Sequence, residues 1–381
     1  MSTTPKIRPS LPSEWYFDAS HYARELEAVW YRDWVCVGRL EEIPARGDYF
    51  LYRLGDQQII VTRGDDGEPH AYYNTCRHRG SVLCTEANGR FRNGRIVCPY
   101  HTWTYGLDGA LLATPRRIES DDFDASDYSL YRVATGTWGG FIFACLDETP
   151  AQTLDEFLGN EAKGLESWPL ADMVVAHEDR REIACNWKIF WENYEECYHC
   201  PRVHPELCKV VPLYGEGVTS HAEVPGWQPA DPSDRGDPDV ADGMTTWTID
   251  GRTTLPVIEG LDPAKRDKGM WFATLLPGIF VVAHPQYARS MRVRPIGPER
   301  LELIVSWLLP RDVAATHADE LGHMMSLANL VIAQDARACE LNQQGLRNRP
   351  HRQGVLVPQE GYVAAFHDWL RGRLPVGRQA T

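Results

Sequence analysis

The spacing of apolar and polar positions divides the chain into stretches of different character. Tyr16, Tyr22, Leu26, Val29 and Trp30 recur at near-helical spacing among Glu14, Asp18, Glu25 and Glu27. Residues 12–40 therefore predict an opening helix, closed by a short strand over Trp34–Gly38. From Glu42 to Leu146 the pattern is β throughout. Short apolar runs at Tyr49–Tyr52, Gln58–Thr62, His70–Tyr73, Arg95–Cys98 and Gly140–Ala144 alternate with turn pairs such as Gly64-Asp65, Asn88-Gly89, Asn93-Gly94 and Asp108-Gly109. Short strands with frequent turns predict a small sandwich or barrel. Pro150, an acidic helix near Thr153–Glu166 and Pro169 mark the passage to a second domain. There Trp187, Phe190, Trp191 and Tyr194 interleave with Glu192, Glu195 and Glu196 as a helix, and the Pro-, Gly- and Asp-rich stretch Pro225–Asp242 reads as a long loop.

Composition narrows the class. The 381 residues suffice for two or three domains, with 43% hydrophobic and 10% aromatic content, as in a soluble globular protein. The net charge of −14 argues against nucleic acid and against an anionic membrane surface as partners. The start at Met1 shows no apolar signal region, and the longest apolar runs are too short to span a bilayer. Ten cysteines in a chain of this length do not make a disulfide framework. Cys185, Cys197, Cys200, Cys208 and Cys339 read as small buried thiols, and a reducing, cytoplasmic compartment is expected.

Two stretches carry candidate chemistry. Cys76-Arg-His78 and Cys98-Pro-Tyr-His101 offer two thiolates and two imidazoles. That donor set suits a [2Fe–2S] cluster with two Cys on one iron and two His on the other. A structural Cys₂His₂ zinc site is the alternative, although zinc loops usually pair like with like. Further on, His199 and His204 stand five apart, about 140° round an ideal helix. If Pro201 stops the helix, the second histidine can swing toward the first. Spacing alone leaves metal ligands, a base pair and packing residues all open.

The stretches Cys76-Arg-His-Arg-Gly-Ser-Val-Leu-Cys84 and Cys98-Pro-Tyr-His-Thr-Trp-Thr-Tyr-Gly-Leu-Asp-Gly109, with His199-x₄-His204 after an acidic helix, closely resemble the Rieske non-haem iron oxygenase α subunits. Ser81 and Tyr100 stand where respiratory Rieske proteins carry a disulfide. The resemblance implies an α+β chain: residues 1–41 packing on the catalytic domain, an all-β Rieske domain over 42–150, and a catalytic domain over 151–381 with a helix-grip-like antiparallel sheet and helices. It implies that Cys76, His78, Cys98 and His101 hold the cluster. His199, His204 and a carboxylate of the late helix Ala328–Leu346 would then hold Fe(II) as a 2-His-1-carboxylate triad with positions open for O₂. Asp335 sits at the family's ligand position, with Glu340 as competitor, and Val357–Leu370 resembles the closing helix.

Glu196 stands where most of the family has Asp, bridging one subunit's cluster histidine to the next subunit's iron ligand. Together with Glu-Cys-Tyr-His-Cys-Pro and Leu-Cys-Thr-Glu-x₂-Gly, it is similar to the subgroup acting on glycine betaine, stachydrine and carnitine. Such an enzyme would be a cytoplasmic homotrimer, because cluster and iron in separate domains of one chain are far apart. It would take electrons from NAD(P)H through a flavin/iron–sulfur reductase and N-demethylate a small quaternary ammonium substrate. Trp227, Trp247, Trp271, Phe272, Phe280 and Tyr287 are candidate aromatic faces for the cation, and Arg289, Arg292 and Arg294 candidates for a substrate carboxylate. An aromatic-ring hydroxylase or aryl O-demethylase, a Rieske electron carrier without catalysis, and a zinc-structured binding module are the alternative readings.

Overall fold

The computed structural model describes residues 6–224, 226–228 and 236–374. Its contacts separate two compact units, Trp30–Phe157 and the remainder, Met1–Val29 with Leu158–Thr381. Among the described residues no helix is long and apolar enough to cross a membrane.

The first unit is all β. A seven-stranded antiparallel sheet runs in the order Val35–Arg39, Phe141–Cys145, Arg132–Trp138, Pro69–Tyr73, Gln57–Arg63, Asp48–Leu54, Asn88–Arg90. Its strands follow the two-residue period: Asp48, Phe50, Tyr52 and Leu54 are buried while Arg53 is exposed. A small sheet of Ile96–Val97, Thr104–Tyr105 and Leu111–Ala113 stands beside it. Ile60, Tyr72, Leu83, Ile96, Trp103 and Tyr105 form a core that also contains Cys76 and Cys98.

The second unit is built on a five-stranded antiparallel sheet in the order Met173–Ile183, Arg300–Pro310, Ala288–Gly297, Ile279–Ala283, Trp271–Leu275. Its helices include Trp187–Tyr194, the long Leu321–Leu346 and the closing Gly361–Arg373. The Cys339 thiol of the long helix points at the Ile189 carbonyl of the first, 3.9 Å away. The described parts of Pro225–Asp242 contain no helix or strand, and the rest of that expected loop lies outside the described residues.

The opening segment corrects two expectations. The helix expected at the start of residues 12–40 is not one element, whereas the strand expected over Trp34–Gly38 is present as Val35–Arg39. A 3-10 turn at Ser13–Tyr16 precedes an α-helix at Ala19–Glu25, which relaxes into a π-type turn over Leu26–Trp30. Asp18 sets the break, because its carboxylate accepts the His21 amide at 2.7 Å as an N-cap. Nor does the segment 1–41 go with the catalytic part as a whole. Val35–Arg39 is an integral strand of the seven-stranded sheet, paired with Phe141–Cys145.

A buried polar knot ties the opening helix to the helix Trp187–Tyr194. Asn186 caps that helix, accepting the Lys188 amide at 3.0 Å. The fully buried Lys188 ammonium lies 2.7 Å from the equally buried Glu25 carboxylate and donates to the Trp15 carbonyl at 2.9 Å. Trp187 Nε1 donates to Glu25 at 2.8 Å, and Tyr16 OH donates to Glu192 at 2.5 Å. Burial works against the Glu25 charge, yet Lys188 and His21 hold its carboxyl below the usual glutamate range. Its stabilisation is therefore present above that range and is lost as pH falls through the lowered value. Lys188→Met leaves a buried carboxylate without its ammonium, and we expect a loss of about 3–5 kcal/mol in denaturant titrations at neutral pH. Glu25→Gln combined with Lys188→Met should recover part of it.

Candidate metal centres and the cavity beside them

Two loops of the first unit bring Cys76, His78, Cys98 and His101 together. They repeat one backbone pattern. The Cys76 and Cys98 amides donate to Ser81 and Trp103 carbonyls at 2.8 Å, and the Gly80 and Thr102 amides donate back to Cys76 and Cys98 at 2.9 and 3.1 Å. The fourth residue after each cysteine is left-handed, Gly80 at φ 76° and Thr102 at φ 56°. Glycine enters that region freely, whereas a β-branched threonine is held there against its preference.

The cysteines are buried at 2% and 1% exposure, while His78 is exposed and His101 half-buried. Their imidazoles meet edge to face at 4.7 Å, and His78 stacks on Trp103 at 4.8 Å. Tyr105 OH accepts the Arg77 amide at 3.1 Å and lies 3.2 Å from Cys76 Sγ, where its proton can point at a thiolate. Burial pushes the Cys76 thiol up, and neighbouring Cys98 adds to the push. Two adjacent buried sulfurs, with imidazoles opening outward, fit a cationic iron–sulfur group.

The second centre gathers His199, His204 and Asp335. The helix Trp187–Tyr194 ends well before Pro201, with Glu195 as its C-cap. Pro201 begins the next short helix, Cys200–Val203, instead of stopping the first one. His199 is the N-cap of that short helix and His204 its C-cap, so a single turn of chain folds the two imidazoles together. Cys197 and Cys200, expected as separate buried thiols, are joined by a disulfide with Cα atoms 4.8 Å apart. Three residues apart on the turn that carries His199, they are brought side by side by the chain itself.

His199 Nε2 and His204 Nε2 are 3.2 Å apart, and Asp335 Oδ1 lies 2.7 Å from His204 Nε2 and 3.5 Å from His199 Nε2. All candidate ligand atoms fall within 4.8 Å of one another. The far side of each ring is taken. His199 Nδ1 meets Glu196 Oε1 at 2.5 Å, and His204 Nδ1 meets Gln334 Oε1 at 2.8 Å. Both acceptors call for a proton on Nδ1, which leaves two Nε2 lone pairs and a carboxylate facing one point. Such a set requires a cation. Burial opposes charge on His199, but Asp335 and Glu196 outweigh it and raise the imidazole to about 9. Burial works against charge on Asp335 too, but His199 and His204 hold it below the usual range. Three donors on one side suit a metal with open positions.

Glu340 is not part of the set. It lies 4.0 Å from the exposed Arg337 in a surface pair. Sequence reasoning missed Gln334, whose only signal is its place beside Asp335, and Asn193, whose Nδ2 lies 3.4 Å from His199 Nε2. A cavity of about 250 Å³ adjoins the three donors. Of the aromatic candidates, Trp247, Phe272 and Phe280 line it, joined by Tyr194 and Tyr214. Trp227, Trp271 and Tyr287 do not line it, and Trp271 instead lies under Lys265.

Comparison with known proteins gives matches over both units. Residues 33–124 match the Rieske [2Fe-2S] domain profile, and residues 170–375 match the ring hydroxylating alpha subunit catalytic domain. The glycine betaine monooxygenase oxygenase subunit of Chromohalobacter salexigens is 33% identical over 94% of this chain and 84% of its own length. The chloroplastic choline monooxygenase of Beta vulgaris is 27% identical over 95% of this chain and 76% of its own. The crystal structure of the quaternary ammonium Rieske monooxygenase CntA with L-carnitine covers 97% of this chain and 96% of its own. Its TM-score is 0.71 at 21% identity, a likeness of fold.

The donor sets separate the two carboxylates by metal content. Asp335→Ala should lower iron from about three to about two per chain, the two remaining in the cluster, while Glu340→Ala should keep about three. Elemental analysis of protein purified without oxygen checks both.

Proposed function

The chain belongs to the ring-hydroxylating oxygenase α-subunit family, and we propose that within it this protein is the oxygenase component of a two-component monooxygenase that N-demethylates a small quaternary ammonium compound. Cys76, His78, Cys98 and His101 would hold the Rieske cluster, and His199, His204 and Asp335 the mononuclear iron. When bound, these groups supply single electrons and the reductive activation of O₂.

The observation that carries the substrate class is the cavity wall. Tyr194 and Phe280 stack at 3.9 Å beside the triad, and Trp247 and Phe272 meet at 5.9 Å in the same wall. A quaternary nitrogen has no proton to donate, so aromatic faces are its natural partners. The likeness to glycine betaine and choline monooxygenases over nearly the whole chain supports the same class.

The chain's own residues do the holding and orienting. Glu196 and Gln334 fix the tautomer and ring plane of His199 and His204. The aromatic wall keeps water from the reacting carbon. Hydroxylation of an N-methyl carbon gives a carbinol that collapses to a tertiary amine, formaldehyde and a proton. One O₂, two electrons and two protons are consumed, and the second oxygen atom leaves as water. A flavin/iron–sulfur reductase would supply those electrons from NAD(P)H. A cytoplasmic homotrimer would set each subunit's cluster beside the next subunit's iron centre, with Glu196 as the bridge. Inter-subunit electron transfer is described for a solved quaternary ammonium Rieske monooxygenase, which supports such an arrangement.

Oxygen uptake and formaldehyde release should run one to one with a quaternary ammonium substrate when a reductase is present. Uptake driven by aromatic acids without formaldehyde would overturn this reading. Glu196→Gln should keep both metal centres filled while lowering turnover roughly ten- to a hundredfold, the scale on which a ligand-orienting partner acts. An unimpaired rate would remove the bridging role.

A further inference from the structure

The strand Ala288–Gly297 carries three arginines, and the sheet sends them to different places. Arg292 faces away from the cavity and pairs with Glu178 at 3.1 Å. Arg294 pairs with Glu302 at 2.7 Å. Arg289 stands opposite Val282, which in turn stands opposite Phe272. One step along the same strands, Met291, Phe280 and Thr274 are likewise in register. All six line the cavity, so Arg289 belongs to the floor that the sheet offers to a ligand.

Arg289 is only 7% exposed. Its guanidinium rests over the Trp247 ring at 6.0 Å, and its Nε has no hydrogen-bond partner. Among the described residues no carboxylate pairs with it, in contrast to its two neighbours on the strand. Burial presses its pKa down, and only the more distant fields of Tyr287, Tyr194, Asp335 and Tyr214 oppose that. A buried cation without a counter-ion is unfavourable unless something arrives to pair with it.

We propose that Arg289 is the carboxylate anchor of the substrate, and that the cavity therefore selects a zwitterion, a quaternary ammonium group and a carboxylate in one small molecule. This rests on the quaternary ammonium reading above. The planar guanidinium suits two parallel hydrogen bonds to a carboxylate. Its positive charge repels the ammonium end, which turns toward the aromatic faces and the triad. A cationic alcohol of the choline type offers Arg289 no charge and leaves the guanidinium buried and unpaired. An uncharged aromatic does the same.

Equilibrium dialysis of the holoenzyme with glycine betaine, choline and tetramethylammonium tests this. Wild type should bind glycine betaine at least roughly a hundredfold more tightly than the other two, the scale of a buried charge pair. Arg289→Met should erase that preference, and Arg289→Lys should keep part of it. Arg289→Met should also melt no lower than wild type, because it removes an uncompensated buried charge. Equal wild-type affinity for glycine betaine and choline, or an unchanged preference in Arg289→Met, overturns the anchor while leaving the quaternary ammonium reading intact. A lower melting temperature together with weaker binding of all three probes assigns Arg289 to the scaffold and also overturns the anchor. Failure of wild type to bind any of the three overturns the quaternary ammonium reading, and the anchor with it.

Discussion

Two imidazole lone pairs and a carboxylate forced to face one point are the constraint on which the catalytic unit turns. Left alone, His199 and His204 would rotate or trade protons to relieve the approach at 3.2 Å. Glu196 and Gln334 prevent this by occupying both Nδ1 positions. The rest of the unit fixes the backbone beneath them. Asn186 starts the helix that leads to His199, and the Glu25–Lys188 pair anchors that helix to the opening segment. The long helix Leu321–Leu346 presents Gln334 and Asp335 as neighbours, so one element supplies both a donor and the orienting partner of another.

The same logic appears in the first unit with different parts. Two loops of identical hydrogen-bond pattern place two buried sulfurs and two outward imidazoles. Tyr105 faces Cys76 as Glu196 faces His199, a second group that biases the protonation of a donor. In both places the donor atoms are preset for positive charge before any metal is considered. Burial disfavours the charged forms of Cys76 and His199 unless an opposite charge stands close. The sheet then adds the substrate's side of the chemistry, since the register that puts Arg289 beside Val282 and Phe272 sets charge and aromatic surface in one wall.

Much of this was legible in the sequence, and the exceptions have physical causes. Cys76, His78, Cys98 and His101 could be read because short loops keep metal donors close in the chain. His199 and His204 were legible as a pair for the same reason, although Pro201 acts by opening a new helical turn and not by ending the old one. Asp335 could be preferred over Glu340 only through resemblance, because both lie on one helix and its orientation depends on tertiary packing. Arg289, Arg292 and Arg294 looked equivalent, and what separates them is carboxylates on other strands, Glu178 and Glu302, which no local pattern shows. The Cys197–Cys200 bond was missed because composition argues about compartments and is silent on two thiols that one turn sets side by side.

The position of the single iron is decisive. Anomalous diffraction at the iron absorption edge, from crystals grown without oxygen, places it directly. An isolated peak is expected roughly 2.0–2.2 Å from His199 Nε2, His204 Nε2 and an Asp335 carboxylate oxygen, with no fourth protein ligand. A peak completed by a further side chain, or no iron between these three residues, would contradict this.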